Sequence, residues 1–275
     1  MYTQHSISLP TGTASYLQKP ADGASLTILM IHGNSLSKET FLPQLTSGLL
    51  DDYRLIALDL PGHGETKVNN SSAFSLPMLA EFIREFAENV IDEEILLTGH
   101  SLGGHLCIQA ASGISNVRGF FLMGTPPLTS ELAVAPFQDH PVMELLFKDE
   151  LDHDELDMIV NAMQYHLPEA AETIKAALLK SGGTLRSALG RSVASGEYKD
   201  ELQELRRIGI PSALVLGEKD ALIHADYVEN IAKLVGWQNK LHCIPSAGHT
   251  VQLEAPESVN NLIAEYIAFL GSEER

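Results

Sequence analysis

Residues 97 to 105 read LTGHSLGGH and set one serine, Ser101, between Gly99 and Gly103. An apolar run typical of a strand precedes this stretch, and the helical pattern HLCIQAA follows it. A serine on so sharp a strand-to-helix turn sits in strained backbone geometry, which only small neighbours allow. The turn lifts the hydroxyl above the sheet, and the following helix aims N–H groups and a positive dipole end at any anion formed there. The implied chemistry is nucleophilic attack. A neutral hydroxyl attacks poorly and needs a base, itself oriented by an acid. Asp220 follows the apolar run SALVLGE and His249 follows LHCIP, so both fall in loops at the carboxyl edge of a sheet, beside Ser101. A plain tight turn with a chance serine would need neither partner.

Among the 11 histidines, His249 stands out because SAGHTVQLEAP sets it in a small-residue loop between a strand and the last helix. His100 is the variable position of the turn, His105 falls within the next helix, and His32 and His63 belong to other loops. His224 reads as a loop residue and His242 as a strand residue. For the acid, Glu218 is the runner-up to Asp220, and Asp59 takes a structural role in its own loop. An oxyanion needs two well-aimed donors. Leu102 N–H comes with the turn, and the second is expected from Asn34, beside a glycine in HGNS after the run LTILMI. The Asn34 side chain has two open roles, a hydrogen bond to substrate or a local turn bond, and His32 braces the loop.

Strand-like runs start at Leu26, Arg54, Glu94, Val117, Ser212 and Lys240 and alternate with helical patterns, which implies an α/β fold: a mostly parallel sheet with helices on both faces. Most are nearly continuous apolar stretches, as strands buried on both faces require. SISLPTGTASYL alternates around Pro10 to Gly12 and reads as an edge hairpin. From Pro127 to Ile208 the pattern is helical only, which implies a helical cap, residues 127–208, inserted in a core of residues 1–126 and 209–275. The acidic run 148–157 reads as a solvated helix start with Asp152 as cap and Glu155 three residues on, in preference to a metal site. In the cap, Met158, Ile159, Ala162 and Met163 follow helical spacing. Most of that face should pack, while Met158, Ala162 and Tyr165 are candidates to touch substrate.

The 275 residues, 44% of them hydrophobic, suffice for one large core. Thirty-six acidic against 18 basic residues give a net charge of −18, which disfavours nucleic acid and anionic lipid but leaves neutral small molecules unpenalised. The two cysteines, Cys107 and Cys243, show no metal-ligand spacing and are expected to be free and buried. The N-terminus lacks the features of a signal peptide, and no apolar run approaches the roughly 18 residues of a membrane span. The expectation is a cytoplasmic protein needing no metal or cofactor, with the oligomeric state left open.

The segments HGNS, DLPGHGET, GHSLGG, GEKD and AGH, spread over the chain outside the cap, resemble those of the α/β-hydrolase superfamily. The order Ser, Asp, His is the one that fold uses. The resemblance makes residues 59–64 a loop packed beside the oxyanion strand, with His63 structural. LMIHGNS, FLPQL, ALDLPGHG, SLGGH and GTPP further resemble the metal-independent N-acyl-homoserine lactonases built on this fold, and imply opening of a signalling lactone, that is, quorum quenching. No alignable resemblance extends into the cap, which shapes the acyl pocket. The expected activity is therefore a serine hydrolase of carboxylic esters or lactones acting through an acyl-enzyme. A general carboxylesterase, a C–C hydrolase, a perhydrolase and a non-catalytic ligand receptor remain the alternatives.

Overall fold

The computed structural model describes residues 1–69 and 74–272. Nine strands, β1 (Thr3–Leu9), β2 (Gly12–Lys19), β3 (Leu26–Ile31), β4 (Arg54–Leu58), β5 (Lys67–Val68), β6 (Glu94–His100), β7 (Val117–Met123), β8 (Ser212–Gly217) and β9 (His242–Ile244), form one sheet. Its order is β1-β2-β4-β3-β6-β7-β8-β9, with β5 paired to β2. The expected edge hairpin is β1 and β2, antiparallel, with Leu9 opposite Gly12. From β4 to β9 neighbouring strands run parallel.

The period-2 geometry of a strand divides its side chains between two faces. Leu29, Ile31, Ile56, Leu97, Phe120 and Leu214 enter one apolar cluster; their neighbours Ile28, Met30, Leu55, Leu96, Phe121 and Ala213 enter the other. Helix α2 (Leu76–Val90) brings Phe82 and Phe86 to the first face, with α3 (Leu102–Ala111) beside it. On the second face lies α11 (Pro256–Ser272), with Val259, Ile263 and Tyr266, beside the short α1 (Leu42–Leu45) and α10 (Val251–Glu254), while α9 (Ala225–Val235) joins the first face. Each of these fully buried side chains contributes about 1.5–3 kcal/mol. Two buried faces explain why most strands read as continuous apolar runs.

Between β7 and β8 the chain forms α4 (Val142–Leu145), α5 (His153–Met163), α6 (Pro168–Lys180), α7 (Gly183–Ala194) and α8 (Glu201–Ile208). Helix α5 starts as its sequence demands: Asp152 accepts from Glu155 N–H, and the Glu155 carboxylate accepts from Asp152 N–H. The last of the five, α8, joins the layer that covers the sheet and bonds to α3. Two further details depart from the sequence reading. Cys107 is buried as expected, but Cys243 is exposed, because β9 turns alternate residues outward at the sheet edge. The β5 strand was not anticipated, being two residues long.

Candidate active site

Parallel strands deliver their loops to one edge. Ile31 pairs with Gly99, which brings the loop after β3 beside the turn after β6. At that turn Ser101 has φ 51° and ψ −120°, a left-handed conformation rare outside glycine. Close approach explains the flanking glycines: a Cβ on Gly99 would meet Gly104 at 2.4 Å, and one on Gly103 would meet the Ile31 carbonyl oxygen at 2.1 Å. Thr125 Oγ1 donates to the Ser101 carbonyl at 2.9 Å and holds the turn from the next strand's loop.

His249 and Asp220 come together as the sequence suggests. His249 Nδ1 lies 2.8 Å from Asp220 Oδ2, and both side chains are buried. Asp220 Oδ1 accepts from Leu222 N–H at 2.8 Å and Ile223 N–H at 3.2 Å. Three acceptances fix the carboxylate, leaving His249 Nδ1 to carry the proton and Nε2 to act as base. Glu218, the runner-up acid, is half exposed; it accepts from Ser246 N–H and pairs with Lys219. The base loop is also tied to the serine turn, since His100 Nε2 donates to the His249 carbonyl at 3.0 Å. Burial holds the His100 ring well below the usual histidine range, so it stays neutral.

The loop after β3 is built to hold its backbone still. His32 Nε2 accepts from Leu60 N–H, and His63 Nε2 accepts from Ser35 N–H. Burial lowers His32 to about 4; burial, with the His32 ring next to it, lowers His63 to about 3. Both are thus neutral acceptors. Asp59 accepts from Lys38 N–H, Lys38 Nζ and Glu65 N–H, the structural role expected of it. A Cβ on Gly33 would stand 3.2 Å from Ser101 Cβ, so the peptide entering Asn34 borders the nucleophile. Among the described residues, neither Asn34 N–H nor Leu102 N–H has an acceptor. Both N–H groups are thus unoccupied at the edge of the serine turn. The Asn34 side chain is already engaged, with Nδ2 donating to the Leu146 carbonyl at 2.8 Å.

Ser101 opens into a largely apolar cavity of about 380 Å³. Its walls include Asn34, Leu76 and Leu102 from the core side, and Leu128, Phe137, Met143, Leu146, Leu189 and Val193 from the insertion. Met158, Ala162 and Tyr165 are not part of this wall. Met158 and Tyr165 face solvent, at 44% and 40% exposed, and Ala162 is packed within the apolar cluster. The reason is how α5 docks: Thr250 N–H and Oγ1 both donate to the Met163 carbonyl, and Tyr165 N–H donates to Glu254. That stitching commits the end of α5 to the base loop. Sequence reasoning missed the wall residues from Pro136 to Phe147 and on α7, whose runs are too short or too mixed to show a face. His105, read from the sequence only as a residue of the following helix, also lines the cavity; its spacing of four residues from Ser101 is the signal that could have shown it.

Among the described residues no cluster of three His, Cys, Asp or Glu side chains is arranged to hold a metal ion, and no helix is long and apolar enough to cross a membrane. A model of the alpha/beta hydrolase family matches residues 28–262. The chain is 26% identical to the pimeloyl-[acyl-carrier protein] methyl ester esterase of Stenotrophomonas maltophilia (strain R551-3), over 90% of this chain and 95% of that one. It is 24% identical to a Bacillus subtilis (strain 168) protein provisionally named a 2-succinyl-6-hydroxy-2,4-cyclohexadiene-1-carboxylate synthase, over 95% and 97%. A mutant of the N-acyl homoserine lactonase AidH complexed with N-hexanoyl homoserine lactone superposes with a TM-score of 0.87 at 25% identity, covering 98% of both chains.

Proposed function

This chain belongs to the alpha/beta hydrolase family, and from that premise we propose that it cleaves a carboxylic ester or lactone through a Ser101 acyl-enzyme. The observation that carries the reading is the locked His249–Asp220 pair, 2.8 Å apart, in the loops beside a serine that opens into an apolar cavity. Ser101 Oγ attacks the carbonyl carbon while His249 Nε2 takes its proton, and Asp220 stabilises the imidazolium. The oxyanion is received by Asn34 N–H and Leu102 N–H. Collapse breaks the C–O bond, and His249 returns the proton to the leaving oxygen. Water, deprotonated by His249, then attacks the acyl-enzyme and frees Ser101.

An N-acyl-homoserine lactone is the substrate this reading favours. The apolar cavity suits an acyl chain, and the acidic surface imposes no penalty on a neutral ring. The likeness to AidH over 98% of both chains supports the same choice. With a lactone the released alcohol stays tethered to the acyl group, so the product is an N-acyl homoserine with its amide intact. The likeness to the methyl ester esterase favours a simple ester as the second reading. Incubation with acyl-homoserine lactones of several chain lengths and with aryl esters, followed by mass analysis, separates the two. A gain of one water with the amide retained is expected. Brisk aryl-ester turnover with every lactone untouched would leave a general esterase, and free fatty acid from the lactones would mean amide cleavage.

A further inference from the structure

We propose that His105 is a specificity-determining residue whose Nε2 accepts a hydrogen bond from an N–H or O–H group borne two or three bonds from the scissile carbonyl carbon. The inference rests on Ser101 being the nucleophile, but not on the substrate being a lactone. His105 stands four residues after Ser101 on α3 and lines the same cavity. One helical turn separates them by about 6 Å along the axis. A hydrogen bond spans about 3 Å of that. What remains places the donor atom about two or three bonds from the reacting carbon, as in an α-acylamino or β-hydroxy acyl group.

The ring's orientation and tautomer are set from behind. His105 Nδ1 lies 2.7 Å from Oε2 of Glu201, a carboxylate whose side chain is only 1% exposed. Oε2 also accepts from Leu128 N–H at 2.8 Å, and Oε1 from Gln109 Nε2 at 3.0 Å. A carboxylate so placed can only accept, which selects the tautomer with the proton on Nδ1 and the lone pair on Nε2. Among the described residues Nε2 has no partner, and it is not sealed from solvent. The cavity wall is mostly apolar, and an imidazole edge in such surroundings costs free energy unless something bonds to it. Glu201 already has two donors without His105, so the ring is not needed merely to satisfy the carboxylate.

The test compares p-nitrophenyl N-hexanoylglycinate with p-nitrophenyl 4-oxononanoate, in which CH2 replaces N–H at unchanged length. His105→Asn is the informative variant, because its amide nitrogen occupies the place of Nδ1 and still donates to Glu201 while Nε2 is gone. The ratio of kcat/KM for the amide over the ketone should fall about five- to tenfold in His105→Asn, as loss of one hydrogen bond implies, with the ketone ester within about twofold of wild type. His105→Phe, a second variant, should lower the ratio equally. Equal losses on both esters, or a ratio that holds or rises, would overturn the proposal by reducing His105 to a structural prop of Glu201. Turnover of both esters surviving in Ser101→Ala would overturn it together with the nucleophile assignment, and is recognised by that variant alone.

Discussion

Lowering the pH from 8 to 5 should weaken the fold through the two histidines that brace the oxyanion loop. His32 and His63 are fully buried, each accepts a backbone N–H at Nε2, and burial lowers them from 6.5 to about 4 and about 3. The unfolded chain therefore takes up protons below pH 6.5 that the folded chain refuses. Stability from each ring is fully present above 6.5 and is lost as pH falls toward the folded value, by about 1.4 kcal/mol per pH unit. At pH 5 the two rings together have removed about 4 kcal/mol relative to pH 8. His100, also lowered by burial, adds loss of the same sign. Against a total of about 5–15 kcal/mol for a folded domain, that is a large share. Urea unfolding at steps between pH 8 and 5 measures it in a window above the ordinary carboxylate range. His63→Gln, whose amide can still accept from Ser35 N–H, should reduce the slope by about 1.4 kcal/mol per pH unit. An unfolding free energy equal at pH 8 and 5, or an unaltered slope in His63→Gln, would refute the argument.

Three other outcomes are expected. Ser101→Ala and His249→Ala should fall to nearly the same residual kcat and the double variant no further, because the residues act as one unit; Asp220→Asn should be comparable or milder and Glu218→Gln nearly silent, and the reverse order would unseat Asp220. Asn34→Ala keeps its backbone N–H but loses the bond to Leu146, so urea unfolding should show about 1 kcal/mol of lost stability and kcat should fall only a few-fold, whereas a hundredfold loss would make the side chain itself an oxyanion donor. Leu189→Trp should shrink the cavity and lower the ratio of long-chain to short-chain ester turnover, while Ala162→Phe should overpack α5 and cost about 1–3 kcal/mol without changing that ratio; chain-length kinetics on both variants decide it.

The strands that carry the candidate site were legible because a sheet buried on both faces writes apolar runs, and those runs lead into the loops that hold Ser101, Asp220 and His249. The pairing of His249 with Asp220 was legible for a similar reason: both follow strands, and parallel strands gather their ends at one edge. Position along the chain did not settle Asp220 against Glu218, because both lie beyond β8 within three residues; only the turn that buries one and exposes the other separates them. The cavity wall was not legible. Helical spacing marks a buried face on α5 without saying what buries it, and the bonds from Thr250 to Met163 turn that face toward packing. The segment 136–147 reaches the cavity through a single bridge from Phe137 to Ile223 and a short helix, too little regular structure to leave a period.

During turnover Ser101 should carry a covalent acyl group, and rapid acid quench of the purified protein with an activated ester, followed by intact mass and peptide mapping, detects it. The expected result is a mass increase equal to the acyl group, confined to the peptide carrying Ser101, formed in a burst and absent from Ser101→Ala. Turnover without any acylated peptide at the shortest quench time, or an acyl group on another residue whose removal stops the reaction, would contradict it.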